Sequence, residues 1–118
     1  MTAVRWTTLP IEQRRSEHGL ELVCHWQIPE HLAYFRGHFT QTPIVPGVAL
    51  THWAIRTSCE HFDQAPHVAS IANLKFHHVL TPHDEVTLTL QHNPEAGSTR
   101  FRYAQGERTY ASGRINWR

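Results

Sequence analysis

An α+β fold, with one antiparallel sheet curled around a single long helix, is predicted by three features of the sequence. Apolar and polar residues alternate with a period of two in five separate segments, as half-buried strands require. Only one segment, residues 47–62, repeats at helical spacing. Between the first of those strands and the helix lies an irregular stretch, residues 29–46, too apolar for an ordinary surface connection.

Taking the chain in order, Trp6–Leu9 reads as a short edge strand ended by Pro10. Residues 11–18 are polar and mixed, either a connection or a frayed strand. In Leu20–Ile28, Leu20, Leu22, Cys24, Trp26 and Ile28 share one face, and Pro29 ends the strand. The stretch that follows holds Pro29, Pro43, Pro46 and Gly37, yet also Leu32, Tyr34, Phe35, Phe39, Ile44 and Val45. So apolar a segment has to pack down, and long irregular segments of this kind in small domains are commonly functional.

Pro46 suits the first turn of a helix, where its missing N–H costs nothing. From Gly47 to Phe62, Val48, Thr51, Ala54 and Ile55 fall on one face, with Leu50, Trp53 and Cys59 beside it. The helix should be about 24 Å long and wrapped on more than one side. Beyond Asp63–His67, Ala72, Leu74, Phe76, His78 and Leu80 alternate through Val68–Leu80, and Thr81–Asp84 makes a turn. Glu85–His92 faces Val86, Leu88 and Leu90 inward; Asn93–Ser98 is a hairpin loop. Thr99–Ala104 carries Phe101 and Tyr103 on one face, and Glu107–Trp117 is the last strand. No internal repeat interrupts this order, and the 118 residues read as one domain, 1–118.

Composition narrows the function. A net charge of +1 argues against a general nucleic-acid binder, although ten of the eleven cations are Arg, suited to planar contacts with carboxylate or phosphate. No apolar run approaches the roughly 20 residues of a membrane span, and the N-terminus lacks a secretory pattern, so a cytoplasmic location is expected. Cys24 and Cys59 are too few for a disulfide framework and are expected to be free thiols. Eleven histidines invite a metal hypothesis, but there is no HExxH or CxxC, and the adjacent His77 and His78 would point to opposite strand faces. No metal or other cofactor is expected, and His77, His78 and His83 are read as surface or sheet residues.

The run Phe35-Arg36-Gly37-His38-Phe39-Thr40-Gln41-Thr42-Pro43-Ile44-Val45-Pro46-Gly47-Val48-Ala49-Leu50 resembles the signature of the β-hydroxyacyl-ACP dehydratases of the hotdog fold. The shared elements are a Gly-His-Phe triplet, a Pro-x-x-Pro-Gly and a central helix. The segment Leu50-Thr51-His52-Trp53-Ala54, with the ending Ser112–Ile115, is similar to the small dehydratases of aryl polyene pathways. The resemblance implies a hotdog fold and makes His38 catalytic. It places a second catalytic group fourteen residues on, where relatives carry a Glu or Asp and this chain carries His52. It further implies that the N–H of Gly47, assisted by Val48, is the oxyanion donor, and that Phe39 lines the substrate tunnel with Tyr34 and Phe35.

Such an enzyme removes a proton from C2 of a 3-hydroxyacyl thioester and expels the C3 hydroxyl. A neutral imidazole suits the base, assigned to His38. His52 has two readings: an imidazolium that protonates the leaving hydroxyl, or a neutral ring that positions it. Glu60 lies about 12 Å further along the helix and does not replace the missing carboxylate. The expected partner is an acyl carrier protein, for whose acidic surface Arg36 and Arg56 are candidates. A homodimer pairing His38 of one subunit with His52 of the other is also expected. The expected function is therefore a 3-hydroxyacyl-ACP dehydratase forming trans-2-enoyl thioesters. The rivals are an acyl thioesterase, or a non-catalytic acyl-binding subunit of a hotdog heterodimer.

Overall fold

The alternating segments become strands at nearly the expected boundaries. A computed structural model describes residues 11–16, 19–28, 47–81 and 83–118. They form β1 (Ile11–Ser16), β2 (Gly19–Gln27), α1 (Gly47–Phe62), β3 (Val68–Phe76), β4 (Glu85–Asn93), β5 (Ser98–Gln105) and β6 (Arg108–Trp117). The six strands make one antiparallel sheet in the order β1-β2-β4-β5-β6-β3. Trp6–Leu9 and the stretch from Pro29 to Pro46, with His38 and Phe39, lie outside the described residues.

Register builds the core in rows. Leu22, Leu90, Phe101 and Gly113 stand opposite one another across four strands, and Cys24, Leu88, Tyr103 and Ala111 form the next row. All eight are buried. Gly113 is the one residue in these rows without a side chain, and Phe101 uses the space: a Cβ on Gly113 would meet the Phe101 ring at 2.7 Å. Burial raises the Cys24 thiol to about 11, so it stays protonated and inert.

The structure decides or amends the sequence reading in three places. Residues Ile11–Ser16 are a strand, paired with β2 along their whole length from Ile11↔Cys24 to Ser16↔Gly19. IEQRRS carries no apolar alternation of its own, and its strand is defined by backbone pairing at the sheet edge. On α1 the buried residues are Ala49, Leu50, Trp53, Ala54, Thr57, Ser58 and Phe62, whereas Val48 is 75 % exposed. The sheet therefore meets a face rotated away from the one the apolar residues mark. Small hydroxyl side chains are tolerated there, and Ser58 returns its hydroxyl to the Ala54 carbonyl at 2.7 Å.

The third amendment concerns β3. Its apolar alternation is real but only partly covered: Leu74 and Phe76 are 42 % and 51 % exposed, and Val79 just beyond is 59 % exposed. The strand ends at Phe76, and its pairing with β6 shifts register between Ala72 and Lys75, with Asn73 at φ 54°. His77, His78 and His83 are exposed, as expected.

His92 continues the inward parity of β4 and is buried. Its ring stacks on Phe62, at 4.7 Å between centroids, and Nδ1 lies 2.8 Å from the Thr99 hydroxyl, which also accepts the Trp117 indole N–H at 2.8 Å. Desolvation lowers the affinity of the ring for a proton in the folded state. Below about pH 6.5 the unfolded chain binds a proton that the folded chain resists, so stability rises with pH up to that value and is lost as pH falls. Urea titrations between pH 5 and 7.5 should show this slope, and His92→Gln should flatten it.

Candidate active site

The helix start is the centre of the candidate site. Gly47 opens α1, and its carbonyl accepts the Thr51 hydroxyl at 3.1 Å. The first N–H groups of a helix have no partner within it, and the dipole places partial positive charge there. No acidic side chain stands in the first turn of α1 to neutralise that charge. Phe76 closes over the same point: a Cβ on Gly47 would meet its ring at 2.7 Å. Glycine is thus what allows an aromatic wall to lie directly against the helix start.

His52 follows five residues later, about 7.5 Å along the axis. It is exposed, on a stripe with Val48, Arg56 and Glu60, each four residues from the next and each facing away from the sheet. Arg56 and Glu60 pair at 3.6 Å. The structure brings Gly47, Val48 and His52 together on the first two turns of one helix. His38 and Phe39 lie outside the described residues.

Two contacts fix that helix end against the sheet. The Tyr103 hydroxyl, on β5, donates to the Leu50 carbonyl at 2.6 Å in a fully buried bond. Burial, and secondarily Cys24, keep this phenol far above its ordinary pKa, so it remains a donor. Trp53 meets Trp26 of β2 edge-to-face at 4.7 Å. Sequence reading placed Tyr103 on the inner face without assigning it a partner, and gave Phe76 no role at the helix start. Their parity marked both as inward-facing, but nothing local marks what they touch. Among the described residues no cluster of three His, Cys, Asp or Glu side chains could hold a metal ion. No helix among the described residues is long and apolar enough to cross a membrane.

Residues 12–114 match the family model "ApeI-like: ApeI dehydratase". The chain belongs to the ApeI-like dehydratase family. Its hotdog architecture recurs in solved structures. An uncharacterized protein from Erwinia carotovora subsp. atroseptica shares 27 % identity over 89 % of this chain and 88 % of its own, with a TM-score of 0.78. The dehydratase heterocomplex ApeI:P from Xenorhabdus doucetiae contains a chain 26 % identical, covering 95 % of this chain and 100 % of that one, with a TM-score of 0.75. The PpsC dehydratase domain from Mycobacterium tuberculosis, at 16 % identity, 90 % and 41 % coverage and a TM-score of 0.62, shares the fold alone. A search of the curated proteins found no match.

Proposed function

We propose that this ApeI-like dehydratase acts on a 3-hydroxyacyl thioester carried by an acyl carrier protein, releasing water and a trans-2-enoyl thioester in a polyene or fatty-acid-like pathway of the cytoplasm. The observation that carries the reading is the helix start. Gly47 offers backbone N–H groups where an apolar wall, Phe76, already lies, and His52 stands less than two turns on.

In this reading His38 takes the C2 proton, and charge builds on the thioester oxygen against the N–H of Gly47, assisted by Val48. The C3–O bond breaks, and the departing hydroxide takes a proton from the His52 imidazolium and leaves as water. Solvent then carries a proton from His38 back to His52, and the enzyme is restored. Phe39 and Phe76 flank the acyl chain.

His52 faces out of its own chain, so its site is completed by a second hotdog subunit. The exposed apolar residues Leu74, Phe76 and Val79 follow the edge of β3 that no described strand pairs, where pairing with another subunit would continue the sheet. We assign a homodimer with shared sites. The Xenorhabdus relative, described as a heterocomplex, supports a second form in which this chain is the acyl-binding subunit beside an active paralogue.

Assay of the purified protein alone on 3-hydroxyacyl- and enoyl-carrier thioesters separates the readings. Water loss and its reversal are expected. Release of free acid would make it a thioesterase, and binding without turnover would make it the non-catalytic subunit.

A further inference from the structure

The face of the sheet turned away from α1 gathers its cations on β3, β5 and β6, while Glu21 and Glu85 stand on β2 and β4. Strand parity puts Arg100 and Arg102 of β5 on that face, because Phe101 and Tyr103 between and beyond them are buried. Arg100 stands directly opposite Arg114 of β6, and Arg102 opposite Ser112, which in turn faces Lys75 of β3. Two adjoining hollows of about 700 and 460 Å³ cross this face and share Lys75, Arg102 and Ser112. Their lining holds four cations, Lys75, Arg100, Arg102 and Arg108, against one acid, Glu107, in a chain whose net charge is only +1.

Like charges placed directly opposite on a sheet repel, so the Arg100–Arg114 pair works against the fold unless an acid comes between them. The Arg102 guanidinium is held in place by two bonds to the Thr109 hydroxyl, 3.2 and 2.9 Å, which pre-orients it. Of the rings in the lining, Phe101 is buried, and the exposed ones are the imidazoles of His77 and His78 in the first hollow. A broad groove set with planar guanidinium groups fits carboxylates presented by a protein surface. Lys75 on the groove and Phe76, whose ring lies on Gly47, are the last two residues of β3 and take opposite faces of the sheet, so the groove reaches the strand end beside the candidate site. Pairing through the β3 edge would extend the sheet without covering this face.

We infer that this outer-face groove docks an acidic protein surface, that of the acyl carrier protein in the proposed reaction, so that the tethered thioester passes round the end of β3, beyond Phe76, to the helix start. The inference rests on the function proposed above, and its test separates the two. The double variant R100E/R102E is compared with the wild-type chain on two substrates, the 3-hydroxyacyl carrier protein and the same acyl group on free pantetheine. Direct binding of the carrier protein is measured beside them.

Reversal should lower kcat/KM for the carrier substrate about tenfold or more, chiefly through KM, with a salt dependence that the wild type shows and the variant loses. Turnover of the pantetheine thioester should not change. Equal losses on both substrates, or no loss on either, would overturn the docking. So would wild-type binding to anionic vesicles or single-stranded DNA as tight as binding to the carrier. If the wild type turns over neither substrate, the proposed reaction fails. The docking is then judged by carrier binding alone, which R100E/R102E must still weaken.

Discussion

Alanine at His52 is expected to cut turnover of a 3-hydroxyacyl thioester by about 10²- to 10⁴-fold, the usual contribution of a positioned acid or base. The melting temperature should barely move, because His52 is exposed and surface substitutions of this kind stay within about 0.5 kcal/mol. Near-normal turnover would remove His52 from the chemistry.

The same pair tests the assembly. His38→Ala and His52→Ala should each be inactive alone. Mixed in equal amounts and allowed to exchange, half of the dimers would be hybrids, each with one intact site, for about a quarter of wild-type activity. No recovery in a confirmed hybrid would place both histidines in one chain. Recovery would explain why His52 stands on the outer stripe of α1 rather than against its own sheet.

The helix bounds were legible in the sequence because Pro46 and the 3.6-residue repeat mark them, and the inward residues of β4 were legible because alternation is strict there. What failed was everything decided by a neighbour distant in sequence. Val48 looks like a core residue on the helix, but the sheet's approach leaves it 75 % exposed. Leu74 and Phe76 alternate like buried residues, and no helix residue of the chain covers them fully. IEQRRS has no strand pattern of its own, and becomes β1 only because β2 offers it an edge. His92 kept the inward parity of Val86, Leu88 and Leu90, so its burial was readable by extending the same count by two residues. At the site, the dehydratase resemblance supplied His38, Phe39, Gly47, Val48 and His52, whereas Tyr103 had no motif to announce it. Its partner, the Leu50 carbonyl, lies 53 residues away and is a backbone atom that no sequence pattern encodes.

Tyr103 is where stability and function should part most clearly. Tyr103→Ala removes a buried ring and should cost about 3–5 kcal/mol, a large share of a small domain's total stability. Tyr103→Phe keeps the ring and removes only the hydroxyl that donates to Leu50. The Leu50 carbonyl has a second lone pair for a bond within the helix, so no buried acceptor is orphaned. The loss should be about 1 kcal/mol, a fall in melting temperature of roughly 4–6 °C. Leu50, however, lies between Gly47 and His52, and the bond is what ties that turn to β5. If it sets where the helix start sits, Tyr103→Phe should reduce kcat several-fold at temperatures where the variant is fully folded, with KM for the acyl group little changed. Urea denaturation and steady-state kinetics at 15 °C read the two effects separately. A variant less stable yet catalytically normal would make Tyr103 a core residue only, and the helix start would then be held by Trp53 on Trp26 and by Phe76 on Gly47.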